Sequence, residues 1–326
     1  MKILAYSHRK DETEYFKKFS KKYNVEIELT DSEPNMDTVD LSKGIDYISI
    51  ITTPINKELL KKFKENGVKF ISTRTIGYDH IDLENAEKLG IHIGNATYSP
   101  SSVADYTIMM MLMAIRKMKL IMERSSLQDF SLNMVQGQEI ENMTVGVIGT
   151  GRIGETVIKH LSGFGCKIIA HDLYEKDTVK KYAKYKDLEY VLKNSNILTL
   201  HMPATEDNYH LINKKTIETM KDNVYIINTS RGSLINTDDL IDALESHKIS
   251  GAALDVIEHE SGLYYNDLKG KILSNRHLAI LKSFPNVIVT PHTAFYTDQA
   301  VSDMVENSIK SILLFDEGKE NPWQVK

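Results

Sequence analysis

Four ionisable residues in the second half of the chain each come at or just after the end of a short apolar run: Arg231, Asp255, Glu260 and His292. If those runs are parallel strands, their carboxyl ends share one sheet edge, where open α/β sheets bind ligands. An arginine there can hold a carboxylate through a bidentate pair. A histidine can donate a proton to a carbonyl oxygen, and an acid can orient the imidazole and favour its protonated form.

A glycine-rich turn precedes these residues, between an apolar run and a helical pattern. It comprises Gly149, Thr150, Gly151, Arg152, Ile153 and Gly154. In such a turn the glycines permit a tight bend, close approach of a pyrophosphate and close packing of the helix, whose N-terminus binds the phosphates. Asp172 ends the next apolar run, near the ~20-residue offset at which an acid reaches a ribose 2′-hydroxyl. The segment predicts NAD binding, and beside it the four ionisable residues suit reduction of a 2-oxo acid.

Each of these residues also has an ordinary structural explanation. A histidine after a strand is more often solvated or structural than catalytic, and the chain has 11 histidines. An Arg-Gly pair is often only a turn, and an acid in a polar loop is usually solvated. Their joint order after successive strands favours the catalytic interpretation. No metal site is predicted, because His201 and His210 are far apart and lack neighbouring carboxylates or thiols.

Composition excludes several classes of function. The chain has 326 residues and a net charge of −5, which argues against nucleic acid or an anionic membrane as the main partner. Its single cysteine, Cys166, suits a reducing compartment. The first residues resemble a strand rather than a signal peptide, and the apolar segment 108–115 is far shorter than the ~20 residues that span a bilayer. We therefore expect a cytoplasmic protein.

Apolar runs alternate with helical patterns along the chain, which predicts parallel sheets. In the first hundred residues strands are expected at 2–7, 46–52, 68–72 and 91–93, with helices at 57–66 and 81–89. Ser102 and Asp105 form a capping-box pattern, predicted to open a long, deeply buried helix that ends near Lys119. Further strands are expected at Thr144–Ile148, 167–170, 197–201, Val224–Asn228, 251–255 and 287–290, before a last helix at about 298–315.

This order predicts an α/β protein with two doubly wound parallel-sheet domains. A Rossmann-type cofactor domain, residues 101–297, is expected to be inserted into a split, flavodoxin-like substrate domain made of residues 1–100 and 298–326. The methionine-rich helix at 108–118 is either part of a dimer interface or a helix buried between the two domains.

Several segments resemble those of the D-specific 2-hydroxyacid dehydrogenases: VGVIGTGRIG, NTSRGSLINTDDL, GAALDVIEHE and VTPHTAFYT. Others are more similar to the D-lactate dehydrogenases of vancomycin-resistance operons: VKFISTRTIGYDHID, YSPSSVADYTIMMMLMAIR and ENMTVGVIGTGRIG. The resemblance extends from Met1 to about Phe315. It implies a homodimer formed through the cofactor domain. It also implies catalytic roles for Arg231, Glu260 and His292, with Asp255 at the nicotinamide end and Asp172 on the ribose.

The same resemblance implies which residues bind the substrate. Tyr98 and the backbone of Ile76 and Gly77 match the region that binds the substrate carboxylate, and Arg9 matches a second cation near the mouth of the site. Ile55 aligns, without gaps, with a tyrosine that caps the substrate side-chain pocket in lactobacillus-type enzymes. A smaller residue there predicts turnover of larger 2-oxo acids, unless Ile55 packs in the core of the first domain.

The sequence therefore predicts an NAD-dependent D-2-hydroxyacid dehydrogenase that reduces pyruvate or a related 2-oxo acid to the D-hydroxy acid. One alternative keeps this chemistry but takes branched or aromatic 2-oxo acids as substrates. Another is a non-catalytic NAD-sensing protein, because corepressors of this fold keep the same arginine, glutamate and histidine.

Overall fold

A computed structural model describes residues 1–260 and 262–325. The chain forms two compact units, which we call unit 1 (Met1–Ser99 with Tyr296–Lys326) and unit 2 (Pro100–Phe295). In the described ranges, no helix combines the length and the apolarity needed to cross a bilayer.

Unit 1 is built around a five-stranded parallel sheet with the strand order β2-β1-β3-β4-β5. This is the flavodoxin-type doubly wound order. The strands are β1 Lys2–Ala5, β2 Glu26–Leu29, β3 Tyr47–Ile50, β4 Phe70–Thr73 and β5 His92–Gly94, and the helices between them are α1 Thr13–Tyr23, α2 Lys57–Glu65 and α3 Leu83–Lys88.

Unit 2 contains a seven-stranded parallel sheet, in the order β12-β11-β10-β9-β6-β7-β8. Counted from the first strand of this unit, it is the Rossmann order with one further strand. The strands are β6 Thr144–Ile148, β7 Lys167–His171, β8 Lys184–Tyr185, β9 Ile197–Leu200, β10 Val224–Asn228, β11 Ile249–Leu254 and β12 Val287–Val289. The predicted fold class, two doubly wound parallel-sheet domains, is confirmed.

The helices of unit 2 cover both faces of this sheet, and two apolar clusters fill the space beneath them. The helices are α4 Pro100–Ile115, α5 Met118–Ser126, α6 Arg152–Leu161, α7 Asp177–Lys180, α8 Leu188–Asn194, α9 Lys214–Thr219, α10 Thr237–Glu245 and α11 Arg276–Ser283. The chain then returns to unit 1 with α12, Asp298–Asp316, which packs on the apolar cluster of β1, β3 and β4. Short 3-10 helices occur at Lys10–Glu12, Val39–Ser42, Ile140–Asn142, Ser162–Phe164, Glu206–Asn208 and Gly232–Leu234.

The predicted long helix differs from the structure at both ends. It begins at Pro100, so Ser102 lies inside the first turn, buried, and does not cap the helix. Proline suits the first helical position, because its missing N–H would have no partner there. The helix ends at Ile115, and Lys117, at φ +55°, separates it from α5. Asp105 is largely exposed, and its carboxylate lies 2.8 Å from Nδ1 of His160.

Candidate active site

The turn between β6 and α6 has glycine at three positions for three different reasons. Gly149 has a φ of +90°, and a Cβ there would lie 2.4 Å from the carbonyl oxygen of His201. A Cβ at Gly154 would lie 2.0 Å from the carbonyl oxygen of Gly149, so only glycine lets α6 pack this closely. A Cβ at Gly151 would meet open space. That space leaves room for a pyrophosphate to approach the backbone, and the binding itself stays a prediction.

The N–H groups of the first helical turn are the candidate phosphate donors, because they have no partner inside the helix. Arg152 and Ile153 contribute two of them at the start of α6. Thr150 does not: its N–H and Oγ1 both donate to Oδ2 of Asp172, and its side chain is fully buried against Tyr185. Thr150 therefore supports the turn from inside.

Asp172 follows β7 and is partly buried. Besides the two bonds from Thr150, its Oδ1 accepts a hydrogen bond from the N–H of Tyr174 at 3.0 Å. Burial raises the pKa of this carboxyl, but the hydrogen bonds together outweigh burial and hold the pKa below its ordinary value. An ionised carboxylate has about four acceptor positions. Asp172 therefore keeps capacity for a ribose hydroxyl.

The carboxyl edge of the same sheet brings Glu260 and His292 together. Oε1 of Glu260 lies 2.6 Å from Nδ1 of His292, and Oε2 accepts a hydrogen bond from the N–H of Ile257 at 3.0 Å. Both side chains are a little more than a quarter exposed. Because a carboxylate only accepts, Nδ1 carries the proton of this bond. Within the described ranges the other ring nitrogen, Nε2, has no hydrogen-bond partner, so it is the atom available to a substrate.

The backbone of His292 is held in the left-handed region, at φ +53°, by a buried acid. Asp255 directly follows β11 and is completely buried. Its carboxylate accepts hydrogen bonds from Oγ1 of Thr290 at 2.6 Å and from the N–H groups of Thr293 at 2.9 Å and Ala294 at 2.8 Å. The sequence predicts Asp255 as a cofactor-binding residue. In the structure the carboxylate is enclosed by the turn that carries His292, and its contact with the cofactor stays a prediction.

Arg231 stands at the carboxyl end of β10, between β9 and β11 in the sheet. It begins a 3-10 turn, and Gly232 in that turn packs on the neighbouring segment: a Cβ there would lie 2.1 Å from the carbonyl carbon of Ile257. Nη1 of Arg231 donates to the carbonyl oxygen of Ser230 at 2.9 Å. Arg231 and His292 therefore lie on the same sheet edge, as predicted.

In unit 1, the turn after β4 presents the predicted backbone groups. The carbonyl oxygen of Ile76 accepts from Nδ2 of Asn95 at 2.8 Å, and that of Gly77 accepts from Oγ1 of Thr75 at 2.6 Å. These bonds fix the turn. In the part of the chain that the structure describes, the N–H groups of Ile76 and Gly77 have no protein acceptor. Two adjacent N–H groups without acceptors are suited to a carboxylate, and half-buried Tyr98 follows the adjacent strand β5.

Arg9 lies after β1 of unit 1, where two acids and an aromatic ring surround its guanidinium. Nε is 3.2 Å from Oδ1 of Asp11, Nη2 is 3.6 Å from Oε1 of Glu12, and Cζ is 5.7 Å from the ring centre of Tyr296. Glu12 is fully buried and also pairs with fully buried Arg74 at 3.0 Å. The sequence reasoning missed Glu12 and Arg74. The only local signal is that Arg74 is a charged residue directly after β4, whereas Glu12 lies in a 3-10 helix seven residues beyond β1.

Ile55 does not reach a ligand. Its side chain is 1% exposed and packs in the core of unit 1. Its N–H donates to the carbonyl oxygen of His80, and its own carbonyl accepts from the N–H of Asp82. These two bonds fix the backbone of Ile55 against the segment 80–82. The prediction that Ile55 lines the substrate pocket is therefore wrong, and the alternative of core packing is what the structure shows. In the loop between β3 and α2, Thr52, Pro54 and Asn56 are exposed and Thr53 is partly exposed.

Two further groups at this site were not predicted as functional. Tyr265 donates its hydroxyl to the carbonyl oxygen of His292 at 2.8 Å. Glu258 lies two residues before Glu260 and pairs with His210. In residues 1–260 and 262–325, no group of three or more histidine, cysteine or acidic side chains could hold a metal ion.

Comparison with known proteins agrees with this geometry. Residues 108–294 match the model of the "D-isomer specific 2-hydroxyacid dehydrogenase, NAD binding domain". An aromatic 2-oxoacid reductase of Clostridium sporogenes is 46% identical over 97% of this chain and 96% of its own length. A D-lactate dehydrogenase of Lactiplantibacillus plantarum is 39% identical over 100% of this chain and 99% of its own length.

Among solved structures, the NAD-complexed D-isomer specific 2-hydroxyacid dehydrogenase of Lactobacillus delbrueckii ssp. bulgaricus superposes with a TM-score of 0.86. It is 31% identical, and the match covers 100% of both chains. With the Rossmann sheet and the glycine turn, these similarities assign NAD as the cofactor. The chain belongs to the D-isomer specific 2-hydroxyacid dehydrogenase family and is an NAD-dependent oxidoreductase of that family.

Proposed function

We propose that Arg231, Glu260 and His292 carry out the reduction of a 2-oxo acid to the D-2-hydroxy acid. The observation that carries this proposal is the 2.6 Å pair between Glu260 and His292 on the sheet edge that also presents Arg231. When bound, NADH supplies the hydride.

His292 is the general acid in this proposal. Its Nδ1–H is engaged by Glu260, so Nε2–H donates the proton to the carbonyl oxygen of the substrate. The negative charge of Glu260 stabilises the imidazolium before the transfer. Asp255 and the bonds it accepts keep the turn in the conformation that aims the ring.

Arg231 holds the substrate carboxylate and polarises the carbonyl group, since a guanidinium forms two parallel bonds to planar anions. In unit 1, Tyr98, Arg9 and the N–H groups of Ile76 and Gly77 are the groups we assign to the carboxylate side of the substrate. Residues 1–100 and 298–326 thus form the substrate domain, and residues 101–297 form the cofactor domain.

For the cofactor, we assign the pyrophosphate to Gly151, Arg152 and Ile153 at the start of α6. Gly149, Gly154 and Thr150 shape that turn, and Asp172 accepts from the ribose. A carboxylate at the ribose repels a 2′-phosphate, so we expect NADH to be preferred over NADPH.

The substrate is a small 2-oxo acid, pyruvate or a related compound. We propose that larger acids are also turned over, because a protein 46% identical to this chain is named an aromatic 2-oxoacid reductase. This replaces the reasoning from Ile55, which is buried. Thr52 and Thr53 are the candidate pocket residues in that loop instead.

We also propose that the protein is a cytoplasmic homodimer that assembles through unit 2. An apolar concavity of about 500 Å³ lies along α4 and α5, lined mainly by Ile108, Met109, Leu112, Met113 and Met118. Nearby in sequence, Leu127, Phe130, Leu132 and Met134 are more than two-thirds exposed. Light scattering after size exclusion tests this assembly: a monomer at micromolar concentration contradicts it.

A substrate panel tests the proposed reaction. Purified protein is assayed for loss of NADH absorbance with pyruvate, 4-methyl-2-oxopentanoate and phenylpyruvate, and the product is resolved on a chiral column. We expect turnover with a D-configured product. An L-configured product, or no turnover with any of the three acids, contradicts the proposal.

A further inference from the structure

A second histidine–carboxylate pair joins the segment that carries Glu260 to a distant part of the chain. Nε2 of His210 is 2.6 Å from Oε1 of Glu258, and Oε2 of Glu258 accepts from the N–H and Oγ1 of Thr237 at 2.9 and 2.6 Å. We call His210, Glu258 and Thr237 the loop clamp. The side chains of Glu258 and His210 are only 10% and 23% exposed, so the clamp is largely shielded from water.

The clamp keeps Glu258 ionised. Burial raises the pKa of this carboxyl, but the hydrogen bonds from Thr237 and His210 together outweigh burial and hold the pKa below its ordinary value. Hydrogen bonds to a charged acceptor are roughly twice as strong as those between neutral groups. Glu258 is therefore firmly tied to Thr237, the first residue of α10.

His210 is fixed in turn by its own surroundings. Its backbone has a φ of +52°, and its N–H donates to the carbonyl oxygen of Ser233 at 2.9 Å. Its ring stacks on that of Tyr209 with ring centres 3.8 Å apart. Nδ2 of Asn236 is 3.3 Å from Nδ1 of His210. An amide hydrogen donated there leaves the ring proton on Nε2, where it faces Glu258.

Glu258 of the clamp lies on the segment 255–260, whose three acids bind three different groups. Asp255 binds the backbone of the turn that holds His292, and Glu260 binds the ring of His292. Glu258, between them in sequence, binds His210 and Thr237 at the start of α10. The clamp thus anchors this segment to α10 and to His210, through bonds separate from those of the candidate catalytic pair.

The turn of Arg231 packs on the same segment. A Cβ on residue 232 would lie 2.6 Å from the backbone nitrogen of Glu258, so Gly232 packs closely on this segment. A shift of the segment would therefore disturb this turn as well as the carboxylate of Glu260.

We propose that His210 and Glu258 are positioning residues for the Glu260–His292 pair, an inference that rests on the proposed catalytic role of that pair. The clamp does not touch the reacting atoms. It fixes the backbone two residues before Glu260, so that the carboxylate stays within hydrogen-bond distance of Nδ1 of His292.

The first test compares His210→Ala, Glu258→Gln and His210→Gln. A misplacement of about 1 Å can cost ~10²-fold in rate, so we expect kcat to fall ~10-fold or more in the first two variants. The Kd for NADH, measured by fluorescence titration, stays at the wild-type value. His210→Gln recovers most of kcat, because its amide can donate to Glu258.

The matched control is His277→Ala. His277 forms a comparable pair with Asp238, at 2.8 Å, also on α10 but outside the clamp. We expect wild-type kcat in this variant. Thermal unfolding shows which variants are folded. If His210→Ala does not fold, Glu258→Gln alone tests the proposal, because it keeps the shape of the side chain.

A double-mutant cycle distinguishes positioning from general support of the fold. In the Glu260→Gln background, His210→Ala or Glu258→Gln should lower kcat little further, because the interaction that the clamp serves is already lost. An equal loss in both backgrounds overturns the proposal, as does wild-type kcat in folded Glu258→Gln. If Glu260→Gln alone leaves kcat unchanged, the proposed function fails first, and the clamp proposal with it.

Discussion

Replacing Asp255 by asparagine should disturb the turn of His292 in a way that the structure lets us work out. Oδ1 accepts from Thr290 and Thr293, and Oδ2 accepts from the N–H of Ala294. An asparagine whose oxygen takes the place of Oδ1 keeps the first two bonds. Its NH₂ group then faces the N–H of Ala294, a residue that is 3% exposed. Two donors cannot pair, so this N–H is left without an acceptor.

The magnitude follows from the cost of that unpaired donor. A buried polar group without its partner costs about 1–3 kcal/mol, so the free energy of unfolding should fall by that amount. The left-handed backbone of His292 costs a comparable ~1–3 kcal/mol, which only the intact turn offsets. If the turn relaxes instead, an energy of this size lowers the fraction of molecules that have His292 in the native position by about 5- to 150-fold. We expect kcat to fall within that range.

The assay combines denaturant unfolding, kcat with a saturating 2-oxo acid, and the Kd for NADH. The matched control is Asp238→Asn, because the Asp238 side chain is 80% exposed on α10. The control should match wild type in all three measurements, and Asp255→Asn should keep its NADH affinity. Weakened NADH binding with normal kcat would refute this reasoning and show that Asp255 serves the cofactor. Unchanged unfolding and kcat would show that the three bonds carry little energy.

Three further substitutions test other parts of the account. Arg231→Lys keeps the charge but loses the planar fork, so KM for the 2-oxo acid should rise and kcat should fall; a change in NADH affinity alone would assign Arg231 to the cofactor. Asp172→Ser should raise kcat/KM for NADPH relative to NADH, because the repulsion of a 2′-phosphate is lost, and an unchanged ratio contradicts the ribose assignment. Ile55→Tyr should lower the free energy of unfolding by about 1–3 kcal/mol through overpacking, whereas Thr52→Tyr in the same loop should not. A stable Ile55→Tyr variant with altered substrate preference would restore the original interpretation.

Local patterns in the sequence were enough to locate the framework of unit 2. The strands Thr144–Ile148 and Val224–Asn228 have the predicted bounds. Short apolar runs between turn signals define buried parallel strands almost alone, since both faces of the sheet are covered. Two glycines of the turn, Gly149 and Gly154, were also readable, because each answers a steric demand of nearby backbone.

Features that depend on distant contacts were not readable in this way. Whether Ile55 faces a ligand or the core is decided by pairing with the segment at His80 to Asp82, which the strand pattern does not show. The pairing of His210 with Glu258 joins residues 48 positions apart. The bonds that Asp255 accepts come from residues more than 30 positions later, so the sequence did not show that its carboxylate holds the turn of His292.

The central claim is that His292 donates the proton, and the most direct measurement is the rate of NADH oxidation in His292→Ala. The account predicts a loss of ~10²–10⁴-fold in kcat, the usual contribution of a positioned general acid, with a normal Kd for NADH. His277→Ala, at the histidine–carboxylate pair with Asp238, should keep wild-type kcat. If folded His292→Ala retains a tenth or more of wild-type kcat, another residue donates the proton.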